Sequence, residues 1–197
     1  MDRRALLAFL LPAFAAAQDG TLRHKPPPGE PEERPVLRTA NVRPHGSNFA
    51  FKLEFDRPPW GEECKNRCAN VMLLLDSDSD PTTGLQMGKG NPKTGADLAV
   101  QVQGMRDYLG ESATTYLKAK VRYLDSNAAR VEDGDVIAEM DHRKDLDRLV
   151  SDGKEVFALV DATNGLLPVG AKCRLVYHPP AEKPLVAKCV GLSAGGW

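Results

Sequence analysis

Four aspartates are the residues of this chain best placed to do chemistry. Asp76, Asp78 and Asp80 alternate through a turn-rich segment behind the apolar run Val71 to Leu75, and Asp97 opens the next alternating stretch. Carboxylates crowded in this way repel one another unless a hard cation holds them, and calcium takes about 6–8 oxygen ligands. The competing reading is a solvated turn, because Asp, Ser, Pro, Thr and Gly are ordinary turn formers. Three alternating aspartates with a fourth beside a buried strand favour the metal. An EF-hand is excluded, since Pro81 stands where that loop needs glycine and Met87 where it needs a bidentate glutamate.

Other reactive side chains are scattered. Cys64, Cys68, Cys173 and Cys189 are even in number, which in an exported chain reads as disulfides. Cys173–Tyr177 and Leu185–Cys189 alternate around a proline-rich turn, and folding about Ala181 sets residue 173 against 189. That register keeps every apolar or sulfur side chain on one face, within disulfide reach. Cys64 is then left with Cys68, and a four-cysteine zinc site is the rival reading. His24 lies in the N-terminal tether, His45 and His178 in turns and His142 at the start of a short helical segment, and all four read as solvated. No G-x-S-x-G or H-E-x-x-H motif is present, so the expectation is a non-catalytic protein. Trp60 is the one candidate platform for a sugar ring, with covering the edge of the fold as its alternative; Trp197 ends the chain.

The elements that position these residues are strands. Phe49, Phe51, Leu53 and Phe55 alternate with Ala50, Lys52 and Glu54; Leu98 to Gln103 and Leu117 to Tyr123 alternate likewise. Val71–Leu75 and Val156–Val160 are apolar on both faces and should be central strands. Val36–Val42 and Val136–Met140 are weaker strands. Asp141 to Val150 is expected to form one short helix, with Asp141 as N-cap and Leu146 and Leu149 facing the core. The whole reads as an all-β, antiparallel, jelly-roll-like β-sandwich.

Residues 1–17, with Arg3, Arg4 and an apolar run ending Ala15-Ala16-Ala17, read as a signal peptide cleaved before Gln18. The residues after Arg4 fit a twin-arginine signal less well than an ordinary export signal. The expected location is therefore periplasmic or extracellular. Residues 18–35 read as a proline-rich tether, and 36–197 as one sandwich domain with a C-terminal disulfide hairpin. The formal charge of −1 gives no electrostatic reason for a nucleic-acid partner, and no later run is long and apolar enough for a membrane span.

Taken together, D-x-D at Asp76 and Asp78, Thr83-Gly84, and Gly95-Ala96-Asp97 resemble the family-9 carbohydrate-binding modules and their DOMON-like relatives. The flanking F-D-R-P-P and V-I-A-E-M-D segments agree in pattern, over roughly residues 36 to 161. The resemblance implies a structural calcium with Asp76, Asp78, Asp80 and Asp97 as ligands, and a polysaccharide as partner. DOMON-like relatives that bind haem imply a second possibility, with ligands drawn from Met72, Met87, Met105, Met140 and His142; strand methionines more often fill cores. An envelope structural or protein-interaction domain with no small ligand is the third.

Overall fold

A computed structural model of the chain describes residues 21–26, 34–45, 48–62, 68–78, 80–86, 95–109, 112–161, 173–179 and 183–189. Within these residues the chain folds into two antiparallel sheets. The first is formed by β1 (Leu22–Arg23), β2 (Leu37–His45), β3 (Asn48–Phe55), β8 (Leu149–Asp152) and β9 (Glu155–Asp161), in the order β1-β2-β3-β9-β8. The second contains β4 (Asn70–Asp76), β5 (Leu98–Leu109), β6 (Ser112–Tyr123), β7 (Asp135–Asp141), β10 (Cys173–Tyr177) and β11 (Leu185–Cys189), ordered β11-β10-β4-β5-β6-β7. The chain changes sheet after β3, β7 and β9. This is the expected β-sandwich.

The inward faces follow the alternation. Phe49, Phe51, Leu53 and Phe55 meet Leu73, Leu75, Leu98, Val100, Val102 and Leu117 in one core between the sheets. The two all-apolar runs became interior strands: β4 lies between β10 and β5, and β9 between β3 and β8. Their outer faces are covered as well. Leu74 packs with Leu85, Ala96, Ala99, Leu124 and Val176, while Phe157 packs with Ala50 and Val150. The first of these satellite clusters anchors the loops of the acidic corner.

Three expectations need correction. Asp141–Val150 forms successive turns instead of a helix, and among the described residues there is no α-helix. The backbone N–H of His142 still donates to Leu117 O of β6 at 3.1 Å, and Asp145 Oδ2 accepts from Asp141 N at 2.8 Å. The strand ladder therefore holds the start of the segment, and Leu149 is claimed by β8. Leu149 is buried as expected, but Leu146 is 45% exposed. Second, the N-terminal segment is not all tether, because Leu22 pairs with Ala40 and is buried. Third, His24 behind it is buried too, with Nδ1 2.9 Å from Leu37 O and its ring edge-on to Tyr177. No helix among the described residues is long and apolar enough to cross a membrane. Residues 1–17, expected as a signal peptide, lie outside the described residues.

Candidate metal centre

The acidic corner is built where β4 ends and β5 begins. Asp76 is the last residue of β4 and is fully buried, with Ser77 nearly so behind it. Asp97 is fixed by its backbone, whose N–H donates to Leu75 O at 2.9 Å and whose carbonyl accepts from Leu124 N at 2.8 Å. Strand pairing alone thus sets Asp97 beside the end of β4. One ligand atom each of Asp76, Asp78 and Asp97 lies within 4.8 Å of the others.

The two glycines of the motif have a steric reason. Leu85 and Ala96 form an isolated bridge, closed by Leu85 N to Ala96 O at 2.7 Å. At Gly84, with φ +60°, an added Cβ would lie 2.3 Å from Ala96 O and 2.9 Å from Asp97 Oδ1. At Gly95, with φ +55°, it would lie 2.3 Å from Asp80 O. Only glycine lets the two segments approach so closely with a left-handed backbone.

Hydrogen bonds orient the carboxylates. Asp97 Oδ2 accepts from Ser77 N at 2.8 Å and Ser77 Oγ at 2.7 Å. Asp78 Oδ1 accepts from Asp80 N at 2.7 Å, and Thr83 Oγ1 lies 3.1 Å from Asp78 Oδ2. Burial pushes the Asp97 carboxyl above its ordinary value, and the charge of Asp78 adds to this against the Ser77 hydrogen bonds. Asp80, expected as a ligand, does not join the cluster. Its Oδ1 accepts from Thr82 N at 2.8 Å and Thr82 Oγ1 at 2.6 Å, a turn cap that holds its carboxyl below the usual range.

Sequence reading missed Arg174. It faces Asp76 across the β10–β4 ladder, and its guanidinium bonds Asp76 Oδ2 through Nε at 2.7 Å and through Nη2. Alternation places Arg174 on the outer face of its strand, but nothing in the sequence says that β10 neighbours β4. The cluster therefore has a built-in cation on one side, and three carboxylates still outnumber it. A cavity of about 490 Å³ opens beside it, lined in part by Asp78, Thr83, Asp97, Tyr123, Asp125 and Ser126. All the donors are oxygens, the set a hard cation prefers. The residues present could hold a metal ion.

The remaining candidates are dispersed. Trp60 is half-buried; its ring packs 4.2 Å from that of His142 and its Nε1 donates to Ser151 Oγ at 3.0 Å. It covers the sandwich edge. His142, expected to be solvated, is buried, with Nδ1 accepting from Leu117 N at 3.0 Å. His178 is half-buried, and desolvation pushes its imidazole down. Cys173 is disulfide-bonded and faces Cys189 in the β10–β11 register, as the hairpin reading required. Cys68 is a buried free thiol, in place of the expected bridge to Cys64. Cys64 lies outside the described residues, as does Met87. Met140 is core, Met72 borders the outer cluster, and Met105 is half-buried on β5. No family model, no curated protein and no solved structure matches this chain.

Proposed function

We propose that the protein is an exported, non-catalytic β-sandwich binding domain whose acidic corner holds calcium and whose ligand is a polysaccharide. The observation that carries the metal is the convergence of Asp76, Asp78 and Asp97 within 4.8 Å. Asp76 and Asp97 are delivered by paired backbone, and Asp78 by the turn between them. Calcium would supply the positive charge that Arg174 alone does not, tying the 77–84 loop to the start of β5. This role is structural and asks for no substrate at the metal.

The polysaccharide is supported by the motif resemblance and by the outer face of the six-stranded sheet. There Asn70 Oδ1 accepts from Gln101 Nε2 at 3.2 Å and Gln103 Nε2 at 3.1 Å. Cross-strand from these, Lys120 and Lys118 extend the polar strip. Amides and ammonium groups on this strand face match sugar hydroxyls, whereas Trp60 is occupied by His142 and Ser151.

Calcium titrated calorimetrically into metal-free protein should bind, and Asp78→Asn combined with Asp97→Asn should abolish the heat. An unchanged isotherm in that variant would remove the acidic corner as the site. A screen of immobilised polysaccharides reads the second half, with Gln101→Ala/Gln103→Ala as the control. Silence across the screen would sink the sugar reading and leave the metal standing.

A further inference from the structure

One buried side chain outside the acidic corner is held in a state that acid would undo. Leu117 N donates to His142 Nδ1 at 3.0 Å. A backbone N–H can only donate, so Nδ1 carries the lone pair and the ring is neutral, with its hydrogen on Nε2. The same ring supports Trp60, whose Nε1 reaches Ser151 Oγ at 3.0 Å. Leu117 belongs to the six-stranded sheet, His142 follows directly on its strand β7, Ser151 belongs to the five-stranded sheet, and Trp60 comes from the connection between the sheets. Pro59, next to Trp60, and Cys68 close over Gly104, which faces Leu117 in the β5–β6 ladder. Among the described residues, Trp60 packs against the core here and stacks on His142.

We propose that His142 and Trp60 form a proton-sensitive latch between the two sheets. When Nδ1 takes a proton from water, two donors face each other across the Leu117 bond. The new N–H has lost its acceptor, and a charge is buried at a site 7% exposed. The ring must then leave, and Trp60 loses its support.

The charged groups on the same turn do not reverse this. Asp141 favours an imidazolium, but Arg143 binds Asp141 through Nε–Oδ1 at 2.9 Å and Nη2–Oδ2 at 2.6 Å, adding an opposing charge. Asp145 accepts from the Asp141 backbone N–H. From β5 and β6, Asp107 lies 3.6 Å from Arg143, the Tyr116 ring lies under that guanidinium, and the Lys118 ammonium lies over the same ring. Trp60 and Ser151, contributed by the β3–β4 connection and by β8, are neutral. Among the described residues, the inverted hydrogen bond at Leu117 is what a proton on Nδ1 changes directly.

The test follows Trp60 in the full chain carrying Trp197→Phe. Between about pH 8 and pH 5 its emission should shift red and acrylamide quenching should rise severalfold while far-ultraviolet dichroism stays native. His142→Asn keeps an oxygen acceptor for Leu117 N–H but cannot titrate, and should give a flat profile. A flat wild-type profile, or the same transition in His142→Asn, overturns the latch. If His142→Asn does not fold, nuclear magnetic resonance of the Trp197→Phe protein decides. Nδ1 protonation coinciding with loss of Leu117 amide protection supports the latch, and any other order contradicts it.

Discussion

Asp76 shows how a buried charge is tolerated here. It is fully buried, and Arg174 meets it with hydrogen bonds from two nitrogens. Removing one partner of a buried pair strands the other charge, which costs about 3–5 kcal/mol. Arg174→Leu should therefore destabilise the domain by about 3 kcal/mol, the low end, because Arg174 is partly exposed. Denaturant unfolding reads the loss, and calcium should recover part of it if the metal shares the cluster. A second residue-scale prediction concerns Asp141, held at about 2 from an ordinary 3.8, chiefly by its bonds to Arg143. A depressed carboxyl stabilises the fold above its unfolded value and stops doing so as pH falls through the folded one. The stability gap between wild type and Arg143→Gln should thus be full above about pH 4 and shrink toward pH 2. Melting midpoints across that range check it. Legibility at this scale was uneven. Asp76, Asp78 and Asp97 were readable from type and spacing, but Asp80 has the same spacing and a different job. Thr82 sits at the right offset to take its carboxylate, and that local bond wins.

The elements that carry the site depend on two left-handed glycines. Gly84→Ala would force an unfavourable backbone, costing about 1–3 kcal/mol, and would also push a methyl into Ala96 O and Asp97 Oδ1. We expect a lower melting midpoint, with faster amide exchange in 80–86 and 95–97 and unchanged protection in the β2–β3 hairpin. Uniform loss of protection would show that the crossing loops do not form a separable unit. Strand alternation made most elements visible in advance, since period two survives any choice of neighbour. What failed was local: Asp141 looks like an N-cap, yet the His142–Leu117 bonds continue the ladder past it. The strand at Leu22–Arg23 is too short for periodicity to reveal, and it exists because β2 offers an edge beside Tyr177.

At the scale of the whole molecule, two sheets share one core, and the chain crosses between them three times. Such a fold is held mainly by buried apolar strands. The acidic corner should therefore adjust stability instead of deciding whether the domain folds. Sequence alone indicated the sandwich and its central strands, because β4 and β9 are apolar on both faces. It could not indicate that β10 lies beside β4, since non-local pairing leaves no trace in spacing. The most direct measurement is thermal unfolding of the full chain in calcium and in chelator, beside the Asp78→Asn/Asp97→Asn variant. Calcium at about 100 times its Kd adds about 2.7 kcal/mol, which for a domain of this size raises the midpoint by about 5–10 °C. The wild type should show that rise and the variant should not. Identical wild-type midpoints in calcium and chelator would contradict the account.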